Sequence, residues 1–243
     1  MSNAGQEPQR ELSGSARGTV AQTEAETRLA QRLSGFGPAG ILAIVAVLAG
    51  NLLFIPLSAV LALVWAYWSR TPWREIGYVR PKNWMVTAAI GIAFGASFKL
   101  LMKAVIMPLF GAPEINQAFH YLAGNRSAIP VTLWLLIAGA GFGEETIFRG
   151  YMFERLYKLL GRRVWARTAT VLITSTIFAS AHYSTQGLPG TEQAAAVGLV
   201  FGTIFAITGR IFLLMFAHAA FDLMAYALIY WNLERWVAHW VFR

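Results

Sequence analysis

The sequence predicts an all-α fold, a polytopic transmembrane helical bundle of about six to eight membrane helices, and three observations predict it. Hydrophobic residues make up 56% of the 243 and charged residues only 13%, with a mean hydropathy of +0.50; soluble domains carry about 25% charged residues. The apolar runs approach the roughly 20 residues of a helical span and lack the two-residue alternation of membrane barrel strands. The Lys and Arg counts alternate from loop to loop, four, one, five, none and one from Arg70 onward, as the positive-inside rule expects. The formal charge of +8 sits mainly in two short loops, so it reads as membrane topology. The lipid bilayer is the expected partner, and nucleic acid is not. The absence of cysteine excludes disulfides, thiolate zinc sites and cysteine catalysis.

Residues 1–35 are polar and have no apolar signal core, which reads as a disordered N-terminal tail. Residues 36–243 form the membrane-embedded domain. The apolar run from Gly37 to Trp68 is interrupted at Gly50-Asn51 and Pro56. It is either one long kinked helix or a hairpin of two short ones; the basic segment Arg70–Lys82, expected on the cytoplasmic side, favours the hairpin. Trp84 to Leu109 is the next span. It carries Lys99 and Lys103 one turn apart, which either face a lumen or a partner helix or, the commoner reading, snorkel toward an interface. Pro130 opens a helix that continues to Leu160 as a basic amphipathic stretch. Arg155, Lys158, Arg162, Arg163 and Arg167 mark a cytoplasmic turn. A span from about Thr168 to Ala181 ends at His182, and the turn-rich Tyr183–Glu192 follows. Two more spans, Gln193 to Ile207 and Ile211 to Trp231, are joined by Thr208-Gly209-Arg210. Trp231, Trp236 and Trp240 suit an interfacial belt. No internal repeat is evident, which leaves a transporter of inverted halves without support.

The chemistry gathers on three of these spans. Glu144-Glu145-Thr146-Ile147-Phe148-Arg149 follows an apolar run that begins near Ala128, so Glu144 lies about 14 residues, or roughly 21 Å, along the helix from Pro130. Glu145 and Arg149 are four apart with the acid first, the favourable order for an ion pair. Glu144 is turned about 100° away and is left for other work. Phe178 and His182 share a face of a second span; His218 and Asp222 share a face of a third. One intramembrane histidine is more often a packing residue. Three spans each bearing an ionisable group would each cost on the order of 2–3 kcal/mol unpaired, and mutual pairing in one bundle interior is the simpler reading. Glutamate with histidine suits general acid–base chemistry on water, and a second histidine suits an oxyanion.

The order Glu-Glu-x-x-x-Arg, Phe-x-x-x-His, His-x-x-x-Asp resembles the CPBP family of intramembrane proteases, which includes the Ras-converting CAAX prenyl endopeptidases and the bacterial abortive infection proteins. The resemblance covers roughly Trp73 to Trp231, with Trp73–Pro81 similar to the family's lead-in before a span. It implies an endopeptidase that acts on a membrane-associated protein or lipidated peptide, CAAX-type processing among the options; the high Arg-to-Lys ratio and the architecture point to a bacterial cytoplasmic membrane. By the resemblance, Glu144 activates the attacking water with His182, while His218 and Asp222 line the opposite side of the site. Glu145 and Arg149 hold the helix geometry and Phe178 forms pocket wall. Relatives that cleave prenyl-proteins tend to carry Asn at position 222; an ionised Asp222 accepts hydrogen bonds only, so it would orient the His218 tautomer and leave His218 as the oxyanion donor. No obligatory cofactor is implied, and no His-Glu-x-x-His zinc motif is present; zinc is the metal that the two histidines and the carboxylates would take if the site ligated one. A non-proteolytic membrane scaffold or immunity protein of the same fold is the alternative, distinguished by keeping its phenotype without Glu144. The oligomeric state is left open.

Overall fold

Helices account for every regular element among the described residues, 23–242 of a computed structural model. In chain order they are α1 (Thr23–Ser34), α2 (Pro38–Ala49), α3 (Leu57–Trp68), α4 (Trp84–Leu109), α5 (Arg126–Leu160), α6 (Val164–Thr208), α7 (Ile211–Tyr230) and the short α8 (Glu234–Ala238). Four of them, α4 to α7, are long and apolar enough to cross a membrane. A fifth span results if α1 and the helix after it, Pro38–Leu52, bent by 63° from one another, count as one.

Two segments account for the difference from the six to eight membrane helices expected. The Gly37–Trp68 run does form a hairpin, but each arm is only 12 residues long. Its turn is tied by reciprocal bonds, Asn51 N–H to Ser58 Oγ and Ser58 N–H to Asn51 Oδ1, both 2.9 Å. The two spans expected over 168–207 are the arms of the single element α6. Gly187, at φ 63°, breaks it two residues before Pro189, and a positive φ is where glycine carries no Cβ penalty. The arms fold back on each other, with Gly198 against Ser175 and Gly202 against Val171. The tail reading over 1–35 lies outside the described residues as far as residue 22. From Thr23 the chain is helical, and it is tied down by the Trp65 indole donating to the Leu33 carbonyl (3.0 Å) and by Arg155 donating to that of Ser34 (3.1 Å).

α4 and α7 run parallel in close contact. Gly91 lies against Leu213 and Phe216, Gly95 against Ala217, and Lys99 reaches Phe221 one turn further on. A Cβ at Gly95 would fall onto the Ala217 carbonyl, so only glycine allows this approach. Gly95→Val is expected to destabilise the fold by about 1–3 kcal/mol, as overpacking does, read as a lower unfolding temperature in detergent. α5 crosses the same helix antiparallel, with Gly141 on Ala219 and Gly150 on Ile211. The shared interior is aromatic: Phe98, Phe153, Phe178, Phe201, Phe205 and Phe221 are all buried. The outer face is apolar too, with Leu52 88%, Leu53 81% and Met85 83% exposed. An apolar outer face around buried ionisable groups is the pattern that lipid solvation selects.

Candidate active site

The site begins with how α5 is built. The Asn125 side chain accepts from the Ala128 N–H at the start of the helix (3.3 Å) and Pro130 sits in its first turn, where its missing N–H costs nothing. Over Leu135–Tyr151 the helix widens into π-type turns, a geometry that recurs at functional sites. Glu144 and Glu145 lie within the widened stretch.

Glu145 is completely buried, and its Oε1 is shared by two donors. Arg149 Nη1 lies 2.8 Å away on the same helix, and His218 Nδ1 lies 2.6 Å away on α7. A carboxylate only accepts, so Nδ1 carries the proton in that bond. The Arg149 guanidinium lies 4.9 Å from the centre of the Phe178 ring and 5.6 Å from that of Phe201. Arg149, Glu145 and His218 therefore form one buried chain linking α5 to α7.

With Nδ1 fixed, His218 Nε2 lies 3.6 Å from Glu144 Oε2 and 3.8 Å from Asp222 Oδ2. Both separations exceed hydrogen-bond length. The expectation that Asp222 orients His218 is thus corrected: Glu145 holds the imidazole. Glu144 differs from its neighbour. Its side chain is 30% exposed, and neither of its oxygens makes a hydrogen bond among the described residues, whereas on Glu145 only Oε2 is left unbonded. His182 Nδ1 lies 2.8 Å from the Phe178 carbonyl; since a carbonyl only accepts, Nδ1 is the protonated nitrogen and Nε2 is left over. Glu144, Phe178, His182, His218 and Asp222 all line one cavity of about 440 Å³. Glu145 and Arg149 stand behind its wall. Among the described residues no group of three or more His, Cys, Asp or Glu side chains is placed to hold a metal ion.

Several contributors were not legible as site residues. Asn51 and Ile55, from the turn of the α2–α3 hairpin, line the same cavity, as do Gln193 and Tyr226. Lys99 and Lys103 do not snorkel: they are 6% and 9% exposed. Lys103 pairs with Glu234 (3.1 Å) and donates to the Glu114 carbonyl, whereas Lys99 lines the cavity. Tyr78, in the loop before α4, braces α5 at the residue that follows the two glutamates. Thr146 donates to the Phe142 carbonyl (2.6 Å), so the Tyr78 hydroxyl donates to Thr146 Oγ1 (2.7 Å). Burial pushes the Tyr78 pKa up to about 12, which keeps that donor neutral. The Tyr in the Trp73–Pro81 lead-in was the sequence feature that could have pointed to it.

Residues 126–224 match the family model described as type II CAAX prenyl endopeptidase Rce1-like, and that interval holds every site residue from Glu144 to Asp222. No curated protein matches the chain, and no solved structure does. The matched segment, the all-helical membrane fold and the three motifs in order make this chain similar to the Rce1-like type II CAAX prenyl endopeptidases.

Proposed function

We propose that the protein is an endopeptidase that hydrolyses a peptide bond of a membrane-associated protein or lipidated peptide, with Glu144 as general base, in the cytoplasmic membrane of a bacterium. The observation that carries this reading is the contrast between two adjacent glutamates. Glu145 Oε1 accepts from both Arg149 and His218 behind the cavity wall, whereas Glu144 makes no hydrogen bond among the described residues and lines the cavity that His182 and His218 also line.

In the proposed reaction a water lies between Glu144 and the free Nε2 of His182. Glu144 takes one of its protons as the water oxygen bonds to the scissile carbonyl carbon, and His182 Nε2 accepts from the other to aim the attack. The carbonyl oxygen becomes an oxyanion. His218 carries a proton on Nε2 as well as the one fixed by Glu145, and donates it as a hydrogen bond to that oxygen. Collapse breaks the carbon–nitrogen bond, and Glu144 returns its proton to the departing amine. Asp222 lies on the same side of the site, its Oδ2 3.8 Å from His218 Nε2. This scheme uses no metal; a requirement for zinc would appear as activity lost in chelator and restored by the ion.

The test compares membrane-protein termini in cells that carry wild type or Glu144→Ala. A membrane protein that accumulates uncleaved only in the variant is the expected result, and it would name the substrate. Identical termini, with the variant present and folded, would overturn the proteolytic reading.

A further inference from the structure

Beside the main cavity lies a smaller chamber of about 230 Å³, between the loop that follows α4, the break in α6 and the end of α7. Lys99 and Gln193 line both spaces. Of the two buried lysines on α4, Lys103 has its acid: Glu234 Oε1 accepts from it and from the Asn116 N–H (3.0 Å). Lys99 has none. Among the described residues its ammonium makes one hydrogen bond, to Gln193 Oε1 at 2.6 Å, and lies 5.1 Å from the centre of the Phe221 ring. An ammonium carries three donors, so two N–H groups remain on a cation that is 6% exposed. A buried charge is costly unless paired. Because Gln193 gives its carbonyl oxygen to Lys99, its amide NH₂ is a further donor with no partner among the described residues. Donors without acceptors, in a space joined to the catalytic cavity, define an anion site.

We propose that Lys99, with Gln193, binds a carboxylate of the peptide substrate and so fixes where along the peptide the bond facing Glu144 lies. The proposal rests on the proteolytic reading and adds a specificity-determining residue to it. A carboxylate offers only acceptors and matches the donor set; its attraction to Lys99 is strengthened by exclusion from water. The carboxylate comes from the free C-terminus of the peptide or from an acidic side chain, and the experiment separates the two.

The test measures binding to full-length Glu144→Gln in detergent, so that nothing is cleaved, with and without Lys99→Met. The probes are an acetylated apolar hexapeptide as free acid, as carboxamide, and as carboxamide with one internal aspartate, together with dihexanoyl phosphatidic acid. One of the two carboxylate peptides is expected to bind about tenfold to a hundredfold more tightly than the plain carboxamide. Lys99→Met should erase that advantage while leaving the carboxamide unchanged, and Lys99→Arg should retain part of it. Free acid over aspartate assigns the C-terminus; the reverse assigns a side chain. Equal affinities for all three peptides, or an advantage that survives Lys99→Met, would overturn the proposal. Lys99-dependent binding of phosphatidic acid alone would overturn it in favour of a lipid headgroup. Because binding is read on a variant that does not cleave, absence of proteolysis in the wild type would sink the enzymatic reading without altering this result.

Discussion

Glu144→Gln is expected to lower kcat for peptide cleavage by about a hundredfold to ten-thousandfold, the range that a positioned general base contributes, with KM little changed. Glutamine has the shape of glutamate and keeps one acceptor oxygen, but it cannot take a proton from water. The substitution is mild for the fold for a reason particular to this residue. Glu144 makes no hydrogen bond among the described residues, its side chain is 30% exposed, and its nearest charged neighbour is His218 Nε2 at 3.6 Å. Nothing structural depends on its charge. The same exchange at Glu145, one residue along, would remove the counter-charge of a buried arginine. The check is single-turnover cleavage of a reporter peptide by purified protein, with the unfolding temperature measured alongside. Activity within tenfold of wild type would remove Glu144 from the role of base.

The parts of this arrangement that were legible in the sequence are those written within one helix. Glu145 and Arg149 four apart, Phe178 and His182 four apart, and His218 and Asp222 four apart each follow from helical periodicity, and apolar surroundings made each ionisable group conspicuous. Contacts between helices left no such trace. The bond from Glu145 to His218 joins residues 73 positions apart, and no spacing rule distinguishes it from a bond between His218 and Asp222 on their own helix. The widened turns over Leu135–Tyr151 were equally hidden, because π-type turns carry no composition rule of their own. Lys99 and Lys103 illustrate the same limit: one turn apart on the same helix, they differ only in what the distant Gln193 and Glu234 supply. The break in α6 was half visible, since Gly187 and Pro189 lie in a turn-rich segment, but the folding back of its arms depends on the fit of Gly198 against Ser175.

The second large effect is expected at Glu145, and it separates folding from catalysis. Glu145→Ala would leave the Arg149 guanidinium, 2% exposed, without its carboxylate; stranding one half of a buried ion pair costs about 3–5 kcal/mol. Unfolding in mixed micelles should therefore move sharply to lower denaturant. The double variant Glu145→Ala with Arg149→Met removes the charge as well as its partner. Methionine fits a site walled by Phe178 and Phe201, and replacing a buried pair by apolar side chains is often neutral or stabilising. The double variant should thus recover most of the lost stability. It should not recover activity, because His218 Nδ1 still lacks the acceptor that fixes its ring, and an oxyanion donor without fixed orientation forfeits about a hundredfold to a thousandfold. Recovery of stability and cleavage together would mean that Glu145 serves Arg149 alone. Stability restored with cleavage still lost assigns Glu145 both duties: balancing the arginine on its own helix and aiming the histidine across the bundle.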